Sequence, residues 1–447
     1  MHNESTVTIQ LRGGLINALQ QDGMVIARGV KYAEAARFEP PRIRNTKWDG
    51  IIDCTRPATI CPQPASRLEA INGPITAGHS LDEDCLHVSV FSQNLPKQGD
   101  LLPVMVFIHG GAYMTGAGDL DCYSGAPLAS QGVVVVNITY RLGIFGYQPI
   151  KGIVPPNLGL LDQIAALQWI HDNIESFGGD PNRVCLFGES AGGDSIFCLL
   201  GADGVEGLFH RVILQSAPFG VRDLDRQDMV NSLSSMAGNF LPKDYESVPA
   251  EELLAIQAKL STAALQFLTA GMSFAPCLGH SPLPEQSEFD TRLDQMIRRV
   301  PIFIGYTKDE GRPFEQIAKR IEPLSGLFAD PSNKLTAGDF VTKRWFQEPA
   351  DRFFQRINEA GGQAFLYQFN LAPEQSRFGA VHTIDLPFLL GTWDAWKDAP
   401  MMGGSDAREF VERMGSEVKR LWLAFAKGHD LGSRRFVIDD GFSFPTG

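Results

Sequence analysis

Short apolar segments recur along the chain at spacings that suit alternating strands and helices. Val7–Leu11, Leu15–Gln20 and Val25–Ala33 read as short strands that pair in order, with Gln21-Asp22-Gly23 as a turn signal. Pro103–Ile108 and Val184–Phe187 are continuous apolar runs without polar alternation, the pattern of strands covered on both faces. Val212–Leu214, Val300–Tyr306 and Ala364–Phe369 are runs of the same kind. Between them, Leu161–Ser176 carries Ala, Leu, Ile and Trp at helical spacing and predicts an amphipathic helix with its tryptophan in the core. Asp228–Ala237 and Glu251–Ala264 predict helices within a mostly helical insertion over residues 221–300, and Phe410–Lys427 predicts a C-terminal helix. This succession specifies an α/β architecture, a mostly parallel central sheet flanked by helices and preceded by an N-terminal β-meander. Insertions above such a sheet shape the mouth of a substrate pocket.

The apolar run Val184–Phe187 leads directly into Gly188-Glu189-Ser190-Ala191-Gly192, and Ile196–Leu200 then suits the buried face of a helix. A serine between strand and helix sits on a sharp, strained turn that lifts its hydroxyl clear of the sheet. Glycines flank it because a side chain there would collide with the neighbouring strand and helix. A second motif, His109-Gly110-Gly111-Ala112-Tyr113, closes the strand Pro103–Ile108. Acyl transfer builds negative charge on a carbonyl oxygen, and preorganised N–H groups lower that barrier. In serine hydrolases of the α/β type one donor is the N–H after the nucleophile, here Ala191, and the others come from an HGGG-type loop upstream. Gly111 and Ala112 are therefore assigned as the remaining donors.

A serine hydroxyl at neutral pH needs an adjacent base and an orienting carboxylate. In this arrangement the chain order is serine, acid, histidine. Four histidines follow Ser190. His210 precedes its strand, whereas ligands bind at the carboxyl ends of strands. His429 follows a helix near the chain end, and His280 precedes every acid on a strand end. His382 lies in a loop after the strand Ala364–Phe369 and is favoured by order and placement. For the acid, the strand Val300–Tyr306 runs into Thr307-Lys308-Asp309-Glu310-Gly311, and these residues alone leave Asp309 and Glu310 open. Asp385 follows the histidine, which the order disfavours.

The chain resembles the type-B carboxylesterases, the family that includes the cholinesterases, and the likeness extends through most of its length. It rests on Arg28-Gly29-Val30-Lys31-Tyr32-Ala33 with Arg37-Phe38 and Pro40-Pro41, then Cys61-Pro62-Gln63, Glu83-Asp84-Cys85-Leu86 and Tyr140-Arg141-Leu142-Gly143. Asn157–Gln163, Ala166–Ile170, Asn173-Ile174, Phe177–Pro181 and Gln215-Ser216 continue it. The resemblance implies an α/β-hydrolase fold and a serine esterase working through an acyl-enzyme. It makes Glu310 the acid, in the family's D-E-G, and His382 the base, in its G-x-x-H loop. Three departures carry information. Ala112 replaces the third glycine of the oxyanion loop and adds a methyl near the acyl group. The family's H-G-x-E reads His382-Thr383-Ile384-Asp385, which shortens a supporting carboxylate. The segment between Cys61 and Cys85 has no tryptophan, so the choline-binding aromatic is missing and neutral, apolar, short-to-medium esters are expected. Compact stretches near Ile150–Pro156 and after Pro218 predict a shallower or differently lidded pocket. An amidase or carbamate hydrolase with the same triad is the alternative. A non-catalytic binding role, known among relatives that lack the serine, is the remote one.

Composition agrees with an enzyme of small molecules. The 447 residues, 44% apolar and 20% charged, are expected to form a single catalytic domain over 1–447. A net charge of −13 disfavours nucleic acid and anionic membranes as partners. No apolar run approaches the ~18 residues of a membrane span. Met1–Gln20 has no positive and apolar leader pattern, which points to a cytoplasmic protein. Seven cysteines form no metal-ligand spacing, and no metal or other cofactor is required. In secreted relatives the positions of Cys61 and Cys85 form a disulfide; in a cytosolic chain they stay reduced. Cys185 and Cys198 read as packing residues. Activity is expected to rise through the ordinary histidine range, and the oligomeric state is left open.

Overall fold

The computed structural model describes residues 5–44, 46–93, 101–222, 226–315 and 336–445. Its first strands are β1 (Ser5–Gln10), β2 (Leu15–Gln21), β3 (Met24–Lys31), the short β4 (Ala33–Glu34), β5 (Arg42–Ile43) and β6 (Ile51–Asp53), and β7 (His87–Gln93). The later ones are β8 (Leu102–Ile108), β9 (Val134–Ile138), β10 (Gly179–Glu189), β11 (Arg211–Gln215), β12 (Ile302–Thr307), β13 (Ala364–Phe369) and β14 (Arg435–Ile438). One sheet runs β1-β2-β3-β7-β9-β8-β10-β11-β12-β13-β14, with β6 beside β2. From β1 through the β7–β9 pair the neighbours along this path are antiparallel, β6 runs parallel to β2, and every pair from β9 to β14 is parallel.

The parallel part explains its own sequence pattern. Val104, Val106 and Ile108 point into one core while Met105 and Phe107 point into the other. Val212 and Leu214 against Ile213, and Ile302 and Ile304 against Phe303, divide in the same way. Both faces are dry, so neither can carry polar side chains.

The helix expected over Leu161–Ser176 spans Leu158–Asn173 and continues as a 3-10 turn to Phe177. It is not amphipathic. Leu161, Gln168, His171 and Asp172 alone escape full burial, and Trp169 lies in the core as expected. Its polar residues are buried because each has a partner: Arg141 grips Asp162 through two N–H···O bonds of 2.8 and 2.7 Å, and Gln163 donates to Ser195 Oγ at 3.1 Å. An unpaired carboxylate there would be too costly to keep. Helices occupy Arg226–Phe240, Ala250–Ala263 and Gln286–Met296 within the predicted insertion, and Arg408–Lys427 near the C-terminus. All seven cysteines are buried and unpaired, Cys61 and Cys85 lying side by side as thiols. Among the described residues no helix is long and apolar enough to cross a membrane.

Candidate active site

Four parallel strands deliver the site at their carboxyl ends. β10 ends at Glu189, and Ser190 takes φ 56° and ψ −121° before the helix Ala191–Leu199 begins. A non-glycine residue in that region carries roughly 1–3 kcal/mol of strain. The turn is held by the Ser190 N–H, which donates to the Gln215 carbonyl of β11 at 2.8 Å. Gly192 is required by close approach: a Cβ there would lie 1.9 Å from the Ile108 carbonyl oxygen.

His382, in the loop after β13, brings the pieces together. Its Nε2 lies 2.9 Å from Ser190 Oγ, and its Nδ1 bonds Glu310 Oε2 on the opposite side. Glu310 is fully buried and accepts the Thr307 N–H at 2.7 Å through its other oxygen, which fixes the carboxylate just past β12. Asp309, which the local residues alone left open beside it, faces elsewhere. It accepts the Ala380 N–H at 2.9 Å and pairs with Arg312 at 2.9 Å, bracing the loop that carries the histidine. The other histidines lie apart: His210 Nδ1 accepts the Val184 N–H, and His280 and His429 are exposed.

After β8, the loop His109–Tyr113 passes over Ser190. Gly111 has φ 102° and a Cβ there would meet the Thr115 carbonyl oxygen at 2.0 Å. Ala112 also has a positive φ, 54°, where glycine is the easier residue. The loop is tied down by Tyr140, whose hydroxyl donates to the His109 carbonyl at 2.7 Å, and by Gln63, which exchanges two hydrogen bonds with Gly116 at 2.6 and 3.0 Å. Gln63 belongs to the Cys61-Pro62-Gln63 motif, which thus has a physical purpose. The N–H groups of Gly111, Ala112 and Ala191 find no acceptor among the described residues. All three residues stand around Ser190, as an anion-binding cradle requires.

Two further buried carboxyls flank the histidine: Glu189, which the sequence reading passed over, and Asp385, which it named as a shortened supporting carboxylate. Glu189, fully buried, has Oε1 3.2 Å from His382 Nε2. Its signal was its place inside the G-x-S-x-G motif. Asp385 accepts a 2.6 Å bond from Gln215 Nε2 beneath the histidine, while its Oδ1 has no partner. Burial raises Glu189 to about 8 and Asp385 to about 6. Burial pulls His382 down, but the carboxylates of Glu189 and Glu310 outweigh it and lift the imidazole to about 9. Phe314 and Phe346 pack against the ring at 5.0 and 5.3 Å between centroids and keep water from it.

The sequence profile of the Carboxylesterase family matches residues 5–335. A Rhodococcus erythropolis protein named "Probable N-octanoylanthranilate hydrolase AqdA2" is 36% identical over 411 residues, 90% of this chain and 88% of that protein. Para-nitrobenzyl esterase of Bacillus subtilis (strain 168) is 32% identical over 448 residues, 93% of this chain and 88% of the relative. A solved PNB esterase superposes with a TM-score of 0.82 at 28% identity, covering 98% of this chain and 96% of that one. The chain belongs to the Carboxylesterase family and is a carboxylic ester hydrolase of the α/β-hydrolase fold.

Proposed function

We propose that Ser190 is the nucleophile, His382 the general base, Glu310 the carboxylate that orients it, and Gly111, Ala112 and Ala191 the oxyanion donors, all within one catalytic domain. The observation that carries this reading is His382 bridging Ser190 Oγ at 2.9 Å and the Glu310 carboxylate. Ser190 Oγ attacks the ester carbonyl as its proton passes to His382 Nε2. The carbonyl oxygen becomes negative and is met by the three N–H groups. Collapse of the tetrahedral adduct breaks the C–O bond, and His382 returns the proton to the leaving alcohol. Water then repeats the sequence on the acyl-enzyme, with His382 again as base.

The preferred acyl groups are short to medium and unbranched, since Ala112 adds a methyl beside the oxyanion cradle. Quaternary ammonium alcohols are disfavoured, because the loop between Cys61 and Cys85 offers no tryptophan face and a cation there forgoes roughly 0.5–2 kcal/mol. Unpaired Cys61 and Cys85 fit a reducing compartment, which supports a cytoplasmic protein. A second reading, amide hydrolysis with the same residues, is favoured by the N-acyl compound named for the Rhodococcus relative. Ester and anilide of one acyl group, assayed side by side, separate the two readings.

The direct test is covalent. A sulfonyl fluoride should add once, on Ser190, and Ser190→Ala should lower ester turnover by about 10⁴- to 10⁶-fold with the fold retained. An adduct mapped by mass spectrometry to another serine sinks the assignment.

A further inference from the structure

The crevice over Ser190 is small, about 60 Å³, and Leu68, Ile75 and Phe314 are among its walls. A larger cavity of about 270 Å³ shares Arg67, Gly111 and Thr115 with it. Met114, Leu254 and Ala258 give that cavity an apolar lining. Arg67 therefore stands where the two spaces meet, beside the oxyanion loop.

The charge of Arg67 is unanswered. Its Nη2 donates to the Gly271 carbonyl at 2.9 Å, which anchors the guanidinium but neutralises nothing. Among the described residues no carboxylate lies within ion-pair distance of it. The side chain is exposed where it opens onto the cavity. Glu189 also lines the crevice, but burial keeps it largely protonated at neutral pH. A guanidinium offers five N–H donors in a planar fork that matches a carboxylate, and one bond to a carbonyl leaves most of that fork open.

We propose that Arg67 is a specificity-determining residue that binds a carboxylate carried by the substrate, so that monoanionic esters are preferred over neutral isosteres, against the neutral preference expected from the sequence. This rests on the esterase reading above and names the substrate class of the same site. The anion could belong to the alcohol or the acyl portion, and two pairs of compounds distinguish them. One pair is 3-carboxyphenyl butanoate against 3-carbamoylphenyl butanoate; the other is the phenyl half-ester of suberic acid against its terminal carboxamide.

In at least one pair the carboxylate should be favoured by about tenfold in kcat/KM, the scale of one charge-assisted hydrogen bond. Arg67→Gln should bring that ratio close to one, and Arg67→Lys should leave it in between, since an ammonium keeps the charge but loses the fork. Each ratio is taken within one preparation, so loss of folded protein cancels. A ratio near one in both pairs for the unaltered chain, or a preference that survives Arg67→Gln, overturns the proposal. Hydrolysis that persists in Ser190→Ala would instead refute the nucleophile assignment, while the ratio still reports on Arg67.

Discussion

The floor and the wall of the pocket are built on different principles. The floor consists of Ser190, Glu310 and the oxyanion loop, which leave the sheet just beyond strand ends, and His382, carried on the longer loop after β13. Ser190 and Glu310 are tied to strand backbone, at Gln215 and Thr307, and the oxyanion loop is held by the Tyr140 hydroxyl. The wall that carries Arg67 and Leu68 belongs to the segment between Cys61 and Cys85, which touches the sheet less directly. It joins the floor through side chains, as where Thr383 Oγ1 donates to Asn72 Oδ1 at 2.7 Å. Changes in the floor alter a reaction that every substrate undergoes. Changes in the wall re-rank substrates and leave the reaction itself in place.

The comparison is broken most sharply at the two adjacent acids after β12. Glu310→Gln removes the counter-charge of the imidazolium and should lower kcat by about 10⁴-fold. Asp309→Asn keeps one acceptor for the Ala380 N–H and loses only the partly exposed pair with Arg312. Its kcat should fall by less than about tenfold, with a loss of stability on the order of 1 kcal/mol seen in thermal unfolding. A reversal of the two effects would place the catalytic acid at Asp309.

A smaller effect separates the two carboxyls around His382. The base works only when neutral, so a raised histidine pKa moves the acid limb of the kcat/KM profile to higher pH. That limb should lie above the ordinary value of about 6.5. Glu189→Gln removes whatever negative charge Glu189 contributes, and the limb should move down by about one pH unit or less. An upward movement, or a limb below 6 in the unaltered chain, contradicts this electrostatic account.

The smallest effect lies where floor and wall meet. Ala112→Gly relieves a positive φ at a cost-free residue, worth about 1 kcal/mol, and clears one methyl from the acyl space. Relative kcat/KM for a pivalate ester over a butyrate ester should rise about three- to tenfold, the scale of one methylene in an apolar pocket. An unchanged ratio would mean that the Ala112 methyl points away from the acyl group.

Much of the floor could be read before any coordinates. The unalternating runs at Pro103–Ile108, Val184–Phe187, Val300–Tyr306 and Ala364–Phe369 marked strands with two dry faces, and chemistry at their carboxyl ends follows from the topology. Ser190 and the oxyanion glycine lie next to such runs, so local sequence identifies them, whereas His382 was found by chain order and the family's G-x-x-H loop. The helix Leu158–Asn173 was misjudged because periodicity records hydrophobicity alone. It cannot register that Asp162 and Gln163 are buried against Arg141 and Ser195.

Strand identity, chain order and the strained serine turn were thus determined by the sequence itself, because each depends on residues within a few positions of one another. Between Asp309 and Glu310 the local residues were silent and only the family's D-E-G motif favoured Glu310; the tertiary structure sets the Glu310 carboxylate on His382 and turns Asp309 to the Ala380 N–H. It alone brought Glu189 within 3.2 Å of the histidine and buried Asp385 beneath it. It alone set Arg67 beside Gly111, 44 positions further along the chain. Electrostatics and pocket shape are sums over groups distant in sequence, and only the folded chain brings those groups together.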